Sequence, residues 1–172
     1  VADLLELARS GAVDFPVHNQ TVSLNALLED AAQVWKTRCD REDVTFKLEL
    51  PETDIEIETD PIRVRQIIDN LAENALRVTP AGSPIIFALT SPAVIEVRDG
   101  GPGLSAEDIE VAFEPGELYE RYKGVRKVGT GFGLALVGRL AGRLGARASA
   151  GRSPEGGALF RIDFSHLVEP IN

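Results

Sequence analysis

The sequence predicts an α+β fold, an α/β sandwich in which a mixed, largely antiparallel sheet is covered on one face by three helices. Three observations predict it. Apolar residues recur at helical spacing over residues 24 to 40 and 60 to 78, and a third such stripe follows the glycine-rich run at 129 to 133. Short segments of alternating apolar and polar residues come in pairs, as strands do. Glycine and proline fall between these segments rather than inside them. A chain of 172 residues with 44% hydrophobic content can bury one core and matches a single domain. It contains no internal repeat and no low-complexity run.

Residues 3 to 10 read as the end of a helix, and Gly11 and Pro16 mark a break after it. Thr21 to Ser23 opens a strand. Ser23 then serves as N-cap for a helix through Asp40 that is expected to bury Leu24, Leu27, Leu28, Ala31, Val34 and Trp35. Residues 44 to 50 and 55 to 59 alternate as two strands joined by PETD. Asp60 and Pro61 form a helix start, with an N-cap carboxylate followed by a proline whose missing N–H costs nothing there. The stripe of this helix is expected to comprise Ile62, Ile67, Ile68, Leu71, Ala72, Ala75 and Leu76. Residues 84 to 90 and 93 to 99 pair as strands across SPA. Ser105, with Asp108 three residues on, caps a short helix to Ala112 in a box-like pattern. Leu134, Val137, Leu140, Ala141 and Leu144 make the last helix, closed by Gly145, and ARASAG pairs with GALFRIDF across RSPEG.

Composition excludes several function classes. A net charge of −9 argues against a nucleic-acid surface, and no apolar run approaches the ~20 residues of a membrane span. Cys39, the single cysteine, rules out an internal disulfide or a cysteine metal cluster and reads as a small hydrophobe on a helix. No signal peptide is expected in this segment, and the absence of methionine predicts an excised or processed fragment.

Three segments carry chemistry. Asn70 and Asn74 stand four residues apart on one helical face, with Arg77 about a turn beyond. An asparagine oxygen is a hard, neutral ligand suited to a Mg²⁺ ion that takes its other ligands from water and nucleotide phosphates, and Asn74 is assigned that role. Alone, this helix reads better as one whose asparagines face water. In VIEVRDGGPGLS a strand runs into Asp99, and Gly100, Gly101 and Gly103 let the backbone pass close to a flat ligand. A carboxylate placed there accepts from the exocyclic amino group of adenine and opposes the O6 acceptor of guanine. Alone, DGGPG is an ordinary turn. GTGFGL, from Gly129 through Thr130, Gly131 and Gly133 to Leu134, enters a helix whose free N–H groups and positive dipole end make an anion site, although glycine turns before helices are common. Their order along one chain reverses the bland readings and points to a magnesium nucleotide, ATP.

The chain resembles the catalytic, ATP-binding domain of bacterial sensor histidine kinases, within the GHKL group that includes DNA gyrase and MutL. The resemblance runs from DLLELARSGA to LFRIDF, with NLAENALR as the asparagine box, DGGPG as the first glycine box, AFEPG as the phenylalanine box and GTGFGL as the second glycine box. It implies a Bergerat-type ATP-binding fold. It also implies that Asn74 binds Mg²⁺, Asp99 the adenine, Arg77 a phosphate, and Gly129, Gly131 and Gly133 the phosphate end. The cations Arg121, Lys123, Arg126 and Lys127, which by themselves read as a solvated loop, would lie in the lid that closes over ATP. Residues 1 to 19 would be the tail of a dimerisation hairpin and its hinge, and residues 20 to 172 the catalytic domain. Three residues depart from the family pattern: Gly100 for Asn, Phe132 for Leu and Val78 for an aromatic. The last removes a stacking contact worth about 0.5–1.5 kcal/mol, so weaker ATP binding is expected.

The implied reaction is transfer of the γ-phosphate of Mg-ATP to a histidine. Neither His18 nor His166 stands in a helical acceptor motif, so the acceptor is expected on a dimerisation domain outside this chain, with a response regulator downstream. The segment itself is expected to be a monomeric, soluble cytoplasmic domain, and its parent a homodimer anchored in the bacterial inner membrane. Two rivals belong to other classes. A GHKL ATPase carries a water-activating glutamate where this chain has Asn70, and Glu73 points about 100° away on the helix. A nucleotide-sensing pseudokinase would bind without transfer.

Overall fold

The computed structural model describes residues 16–124 and 132–168. Seven strands and five α-helices follow in the order β1 (Gln20–Ser23), α1 (Leu24–Arg41), β2 (Thr45–Glu49), β3 (Glu56–Thr59), α2 (Pro61–Val78), β4 (Pro84–Thr90), β5 (Val94–Asp99), α3 (Ala106–Val111), α4 (Glu117–Tyr122), α5 (Gly133–Leu144), β6 (Arg147–Arg152) and β7 (Ala158–Asp163). A short 3₁₀ turn at Ser165–Leu167 completes the described chain.

Five strands form one sheet in the order β2-β4-β5-β7-β6, with β2 parallel to β4 and the other pairs antiparallel. The expected mixed, largely antiparallel sheet is therefore present. Helices α1, α2 and α5 pack along one face, where Phe87, Ile95, Val97, Phe160 and Ile162 meet Leu28, Leu71 and Leu140 in a continuous core. The other face carries a ladder of charges. Strand β5 alternates accordingly, with Ile95, Val97 and Asp99 buried and Glu96 and Arg98 turned outward.

One pairing differs from expectation. The strands at 45–49 and 56–59 do not pair with each other: β2 joins the large sheet, whereas β3 pairs with β1 in a separate two-stranded sheet. Two apolar residues also leave their expected stripes. Val34 is 50% exposed, because the buried line of α1 runs through Leu24, Leu28, Ala31, Trp35 and Cys39 and Val34 lies about 100° off Trp35. Ile62 is 71% exposed, about 200° around the helix from buried Val64. Cys39 is buried as expected, and desolvation pushes its thiol up to about 11.

Caps are built as the sequence indicates. Ser23 Oγ accepts from the Ala26 amide, Ser105 and Asp108 form a reciprocal capping box, and Gly145 ends α5 in the left-handed region at φ 76°. Asp60 does more than cap α2. Its Oδ1 accepts from the amides of Ile62 at 3.0 Å and Arg63 at 3.2 Å, while Oδ2 accepts from the His18 amide at 2.9 Å. Asp60→Ala is therefore expected to cost about 1–2 kcal/mol, seen as a lower urea midpoint at unchanged slope, and Asp60→Asn to recover part of it through Oδ1.

Candidate nucleotide site

Helix α2 ends against the loop that leaves β5. Arg77, Val78, Thr79 and Pro80 form one wall of an open cleft of about 550 Å³, and Gly100, Gly101 and Pro102 form the other. The helix stops there because Pro80 follows and the buried Thr79 hydroxyl donates to the Ala75 carbonyl at 2.7 Å. Two motifs separated in sequence thus meet at one opening.

Asp99 is the last residue of β5 and fully buried. Its Oδ1 accepts from the amides of Gly101 at 2.9 Å and Ala158 at 3.1 Å, which fixes the carboxylate plane. A ligand's amino group would be received by the other oxygen, Oδ2. Gly101 is required where it stands, since a Cβ would lie 2.9 Å from the Val78 carbonyl oxygen and 3.0 Å from Asp99 Oδ1. The space beside the loop glycines is thus taken largely by the chain itself. Gly103 faces the carbonyls of Gly156 and Gly157 rather than the cleft.

On α2, Asn70, Asn74 and Arg77 follow one another at helical spacing toward the cleft. The Asn70 amide donates to the Gln66 carbonyl at 2.8 Å, and no described residue hydrogen-bonds the half-buried Asn74 side chain. An oxygen so placed fits a metal ion that shares its coordination with phosphates and water. Among the described residues no group of three His, Cys, Asp or Glu side chains could form a metal cage. Glu73 turns to the neighbouring helix, where Arg38 donates to it at 2.6 and 3.3 Å while stacking 4.4 Å over the Trp35 ring. That hydrogen bond from Arg38 holds the Glu73 carboxyl below the usual range. An ionised, tethered Glu73 is not placed to activate water.

Helix α5 packs beside α2, and the residue before it, Phe132, supplies no side-chain cap to the first N–H groups. Gly133 opens this helix. Leu134 is 7% exposed, so its side chain belongs to the core and only its backbone can face a ligand. Phe113 of the AFEPG segment braces the same helix, lying edge-on to Phe160 at 6.2 Å and against Gly138, where a Cβ would approach to 3.2 Å. Lys123 lies at the end of the described segment and pairs with Glu120 at 2.8 Å. Arg126, Lys127, Gly129, Thr130 and Gly131 lie outside the described residues.

Two contributions were missed in the sequence. Asp108 was legible as a capping residue, but it also accepts from the Tyr122 hydroxyl and lies 3.4 Å from an Arg121 guanidinium nitrogen, tying α3 to α4. Burial raises the pKa of this carboxyl, and the hydrogen bonds from Tyr122 and Ser105, with the Arg121 charge, lower it further than burial raises it. The other is the β6–β7 turn. Gly157 packs directly on Asp99 and Ala158 supplies one of its donors, whereas the sequence marked this stretch only as the link between two strands.

The family of histidine kinase-, DNA gyrase B- and HSP90-like ATPases matches residues 59–167. The swarming motility regulation sensor protein RssA of Serratia marcescens is 33% identical over 97% of this chain and 36% of its own length. The sensor histidine kinase WalK of Bacillus subtilis is 28% identical over 80% of this chain and 23% of its own length. Among solved structures, full-length ShkA in complex with AMPPNP superposes with a TM-score of 0.81 at 26% identity, covering 95% of this chain and 34% of that one. The histidine kinase ThkA in complex with the response regulator TrrA gives a TM-score of 0.77 at 18% identity over 94% of this chain and 45% of that one.

The fold and the family match define an ATP-binding domain like those of histidine kinases. The chain belongs to the histidine kinase-, DNA gyrase B- and HSP90-like ATPase family. It spans 17% of the length of the cell-division control histidine kinase PdhS of Brucella and 36% of RssA. Among the described residues no helix is long and apolar enough to cross a membrane.

Proposed function

We propose that residues 20 to 172 are the catalytic domain of a two-component sensor histidine kinase, which transfers the γ-phosphate of Mg-ATP to a histidine on a dimerisation domain of the same protein. Residues 1 to 19 are the link to that domain, and a response regulator receives the phosphate afterwards. The domain works in the cytoplasm as part of a homodimeric parent held at the inner membrane. The observation that carries this reading is Asp99: fully buried, oriented by the Gly101 and Ala158 amides, and set beside the cleft under the end of α2.

In this reading Asp99 accepts from the adenine amino group and excludes guanine. Asn74 ligates Mg²⁺, which neutralises charge on the phosphates when bound. Arg77 holds a phosphate, Asn70 lines the same helical face, and the amides at Gly133 and Leu134, with Gly129, Thr130 and Gly131 before them, cradle the phosphate end. Gly101 and Gly103 shape the loop beneath the base, and Lys123, Arg126 and Lys127 screen the triphosphate from the lid. Phosphoryl transfer depends mainly on such positioning and charge neutralisation. The tethering of Glu73 to Arg38 and the amide at Asn70 leave water without a general base on this helix face, which favours transfer over hydrolysis. Both histidines are exposed, and His18 is engaged through its backbone rather than its ring.

Incubation with γ-labelled ATP tests the proposal. Alone, the chain should neither label itself nor release phosphate quickly. With the hairpin from the same gene it should label that hairpin with acid-labile, base-stable phosphate, and Asn74→Ala should abolish the Mg²⁺-dependent labelling while keeping the helix, since alanine is the better helix former. Rapid phosphate release without the hairpin would establish the ATPase instead, and nucleotide binding with no transfer would establish a pseudokinase.

A further inference from the structure

We propose that Arg98 and Glu155, on the sheet face opposite the cleft, are positioning residues for base recognition: they hold the β6–β7 turn whose backbone fixes the Asp99 carboxylate. The inference rests on the reading of Asp99 as the adenine acceptor.

Arg98 and Asp99 are neighbours in β5, and strand alternation sends their side chains to opposite faces. The ladder between β5 and β7 runs to the pair Arg98 and Leu159, and one residue beyond it the Ala158 amide donates to Asp99 Oδ1 at 3.1 Å. Where that amide points is set by the path of the chain through residues 153 to 157. Gly157 is pressed so closely on Asp99 that a Cβ there would stand 2.2 Å from Oδ1. The turn is therefore in direct register with the carboxylate, and anything that shifts it shifts a donor of Asp99.

The outer face restrains that turn. Arg98 Nε donates to Glu155 Oε1 at 2.9 Å, and Ser153 Oγ donates to the same oxygen at 2.7 Å. The Glu155 amide returns a hydrogen bond to Ser153 Oγ at 3.0 Å, the Gly156 amide donates to the Ser153 carbonyl at 2.9 Å, and the Ser153 amide donates to the Gly157 carbonyl at 2.8 Å. Arg98 is itself fixed by Glu49 at 2.8 Å and Glu96 at 3.3 Å. Its side chain is 14% exposed and that of Glu155 23%, so the pair is largely withdrawn from water and is worth more than a solvated surface pair. Burial alone would raise the pKa of Glu155, but the hydrogen bonds from Ser153 and Arg98 bring it below the usual carboxylate range. The constellation thus runs from the charged face of the sheet, through five residues of turn, to the carboxylate on the other side.

The test compares ATP and GTP affinities by calorimetry in variants of the full chain. Glu155→Ala should weaken ATP binding about five- to tenfold, with GTP binding changed less, so that the preference for ATP falls. Glu155→Gln keeps an oxygen for Arg98 Nε and Ser153 Oγ and should restore most of that preference. Arg161→Ala serves as control: it removes the other arginine on Glu96, which sits at 2.7 Å on the same face, and should lower thermal stability without touching the preference. In the nucleotide-free protein the amide resonances of Gly101 and Ala158 should move in Glu155→Ala and stay in Arg161→Ala.

An unchanged preference with unmoved amides in Glu155→Ala, beside an Asp99→Asn variant that does lose the preference, overturns the positioning role alone. If Asp99→Asn also keeps the wild-type preference, the adenine reading fails and the positioning role falls with it. Should Glu155→Ala not fold, Arg98→Lys, which retains the charge without the directed Nε donor, is expected to give the same pattern, and a wild-type result there overturns the role.

Discussion

Replacing Gly157 with alanine is expected to damage stability and nucleotide binding together. The added Cβ would sit 2.2 Å from Asp99 Oδ1, 2.3 Å from the Asp99 carbonyl oxygen and 2.6 Å from the Gly101 nitrogen. No rotamer change relieves such contacts, because two of the three neighbours are backbone and the third is a carboxylate held by two amides. Overpacking of this kind costs about 1–3 kcal/mol and more where the backbone must move, so the upper end of that range applies. Gly142→Ala provides the contrast: it lies in α5 with nothing within 4 Å of the added Cβ, and alanine there should stabilise the helix by up to about 1 kcal/mol. Urea titration and ATP calorimetry on both variants decide the matter. A Gly157→Ala protein that melts and binds like the parent would mean that the turn is not pressed on Asp99.

Asp99→Asn is expected to change base preference with less harm to the fold. The side-chain oxygen of asparagine can still accept from the Gly101 and Ala158 amides, so both donors keep their partner. Its NH₂ group then occupies the place of Oδ2, where it opposes the adenine amino group and matches guanine O6. Exchanging an acceptor for a donor at a buried position should cost ATP about 1–3 kcal/mol, roughly five- to 150-fold in affinity, while GTP loses nothing or gains. Asp99→Ala should do worse on both counts, because it strips the two amides of their acceptor as well. Equal ATP affinity in wild type and Asp99→Asn would remove Asp99 from base recognition.

Much of the molecule was legible because its signals are short-range. Ser23, Asp60 and Ser105 announce helix starts through contacts two or three residues away, and each forms the expected cap. Gly145 closes the last helix by its own positive φ. The asparagine helix, the DGG loop and the glycine-led helix were readable as motifs for the same reason, since each is a contiguous run whose chemistry depends on spacing within one element. Glu73 could be removed from the water-activating role by helix geometry alone, and its capture by Arg38, 35 residues away, adds what geometry could not name.

Short-range patterns therefore set the list of elements, their caps and the order of the chemical motifs. The tertiary structure decided which strands pair, which faces are buried and what surrounds Asp99. Strands at 45–49 and 56–59 alternate alike, and nothing local distinguishes pairing with each other from the separation of β2 into the large sheet and β3 onto β1. Val34 and Ile62 have core chemistry, and only the seating of their helices leaves them in water. One donor to the buried Asp99 carboxylate comes from Ala158, 59 residues downstream, through a turn held from the far side of the sheet. Local patterns encode dihedral preferences and periodicity, whereas the partner of a buried polar group is chosen by the packing of the whole chain, which no window of neighbouring residues contains.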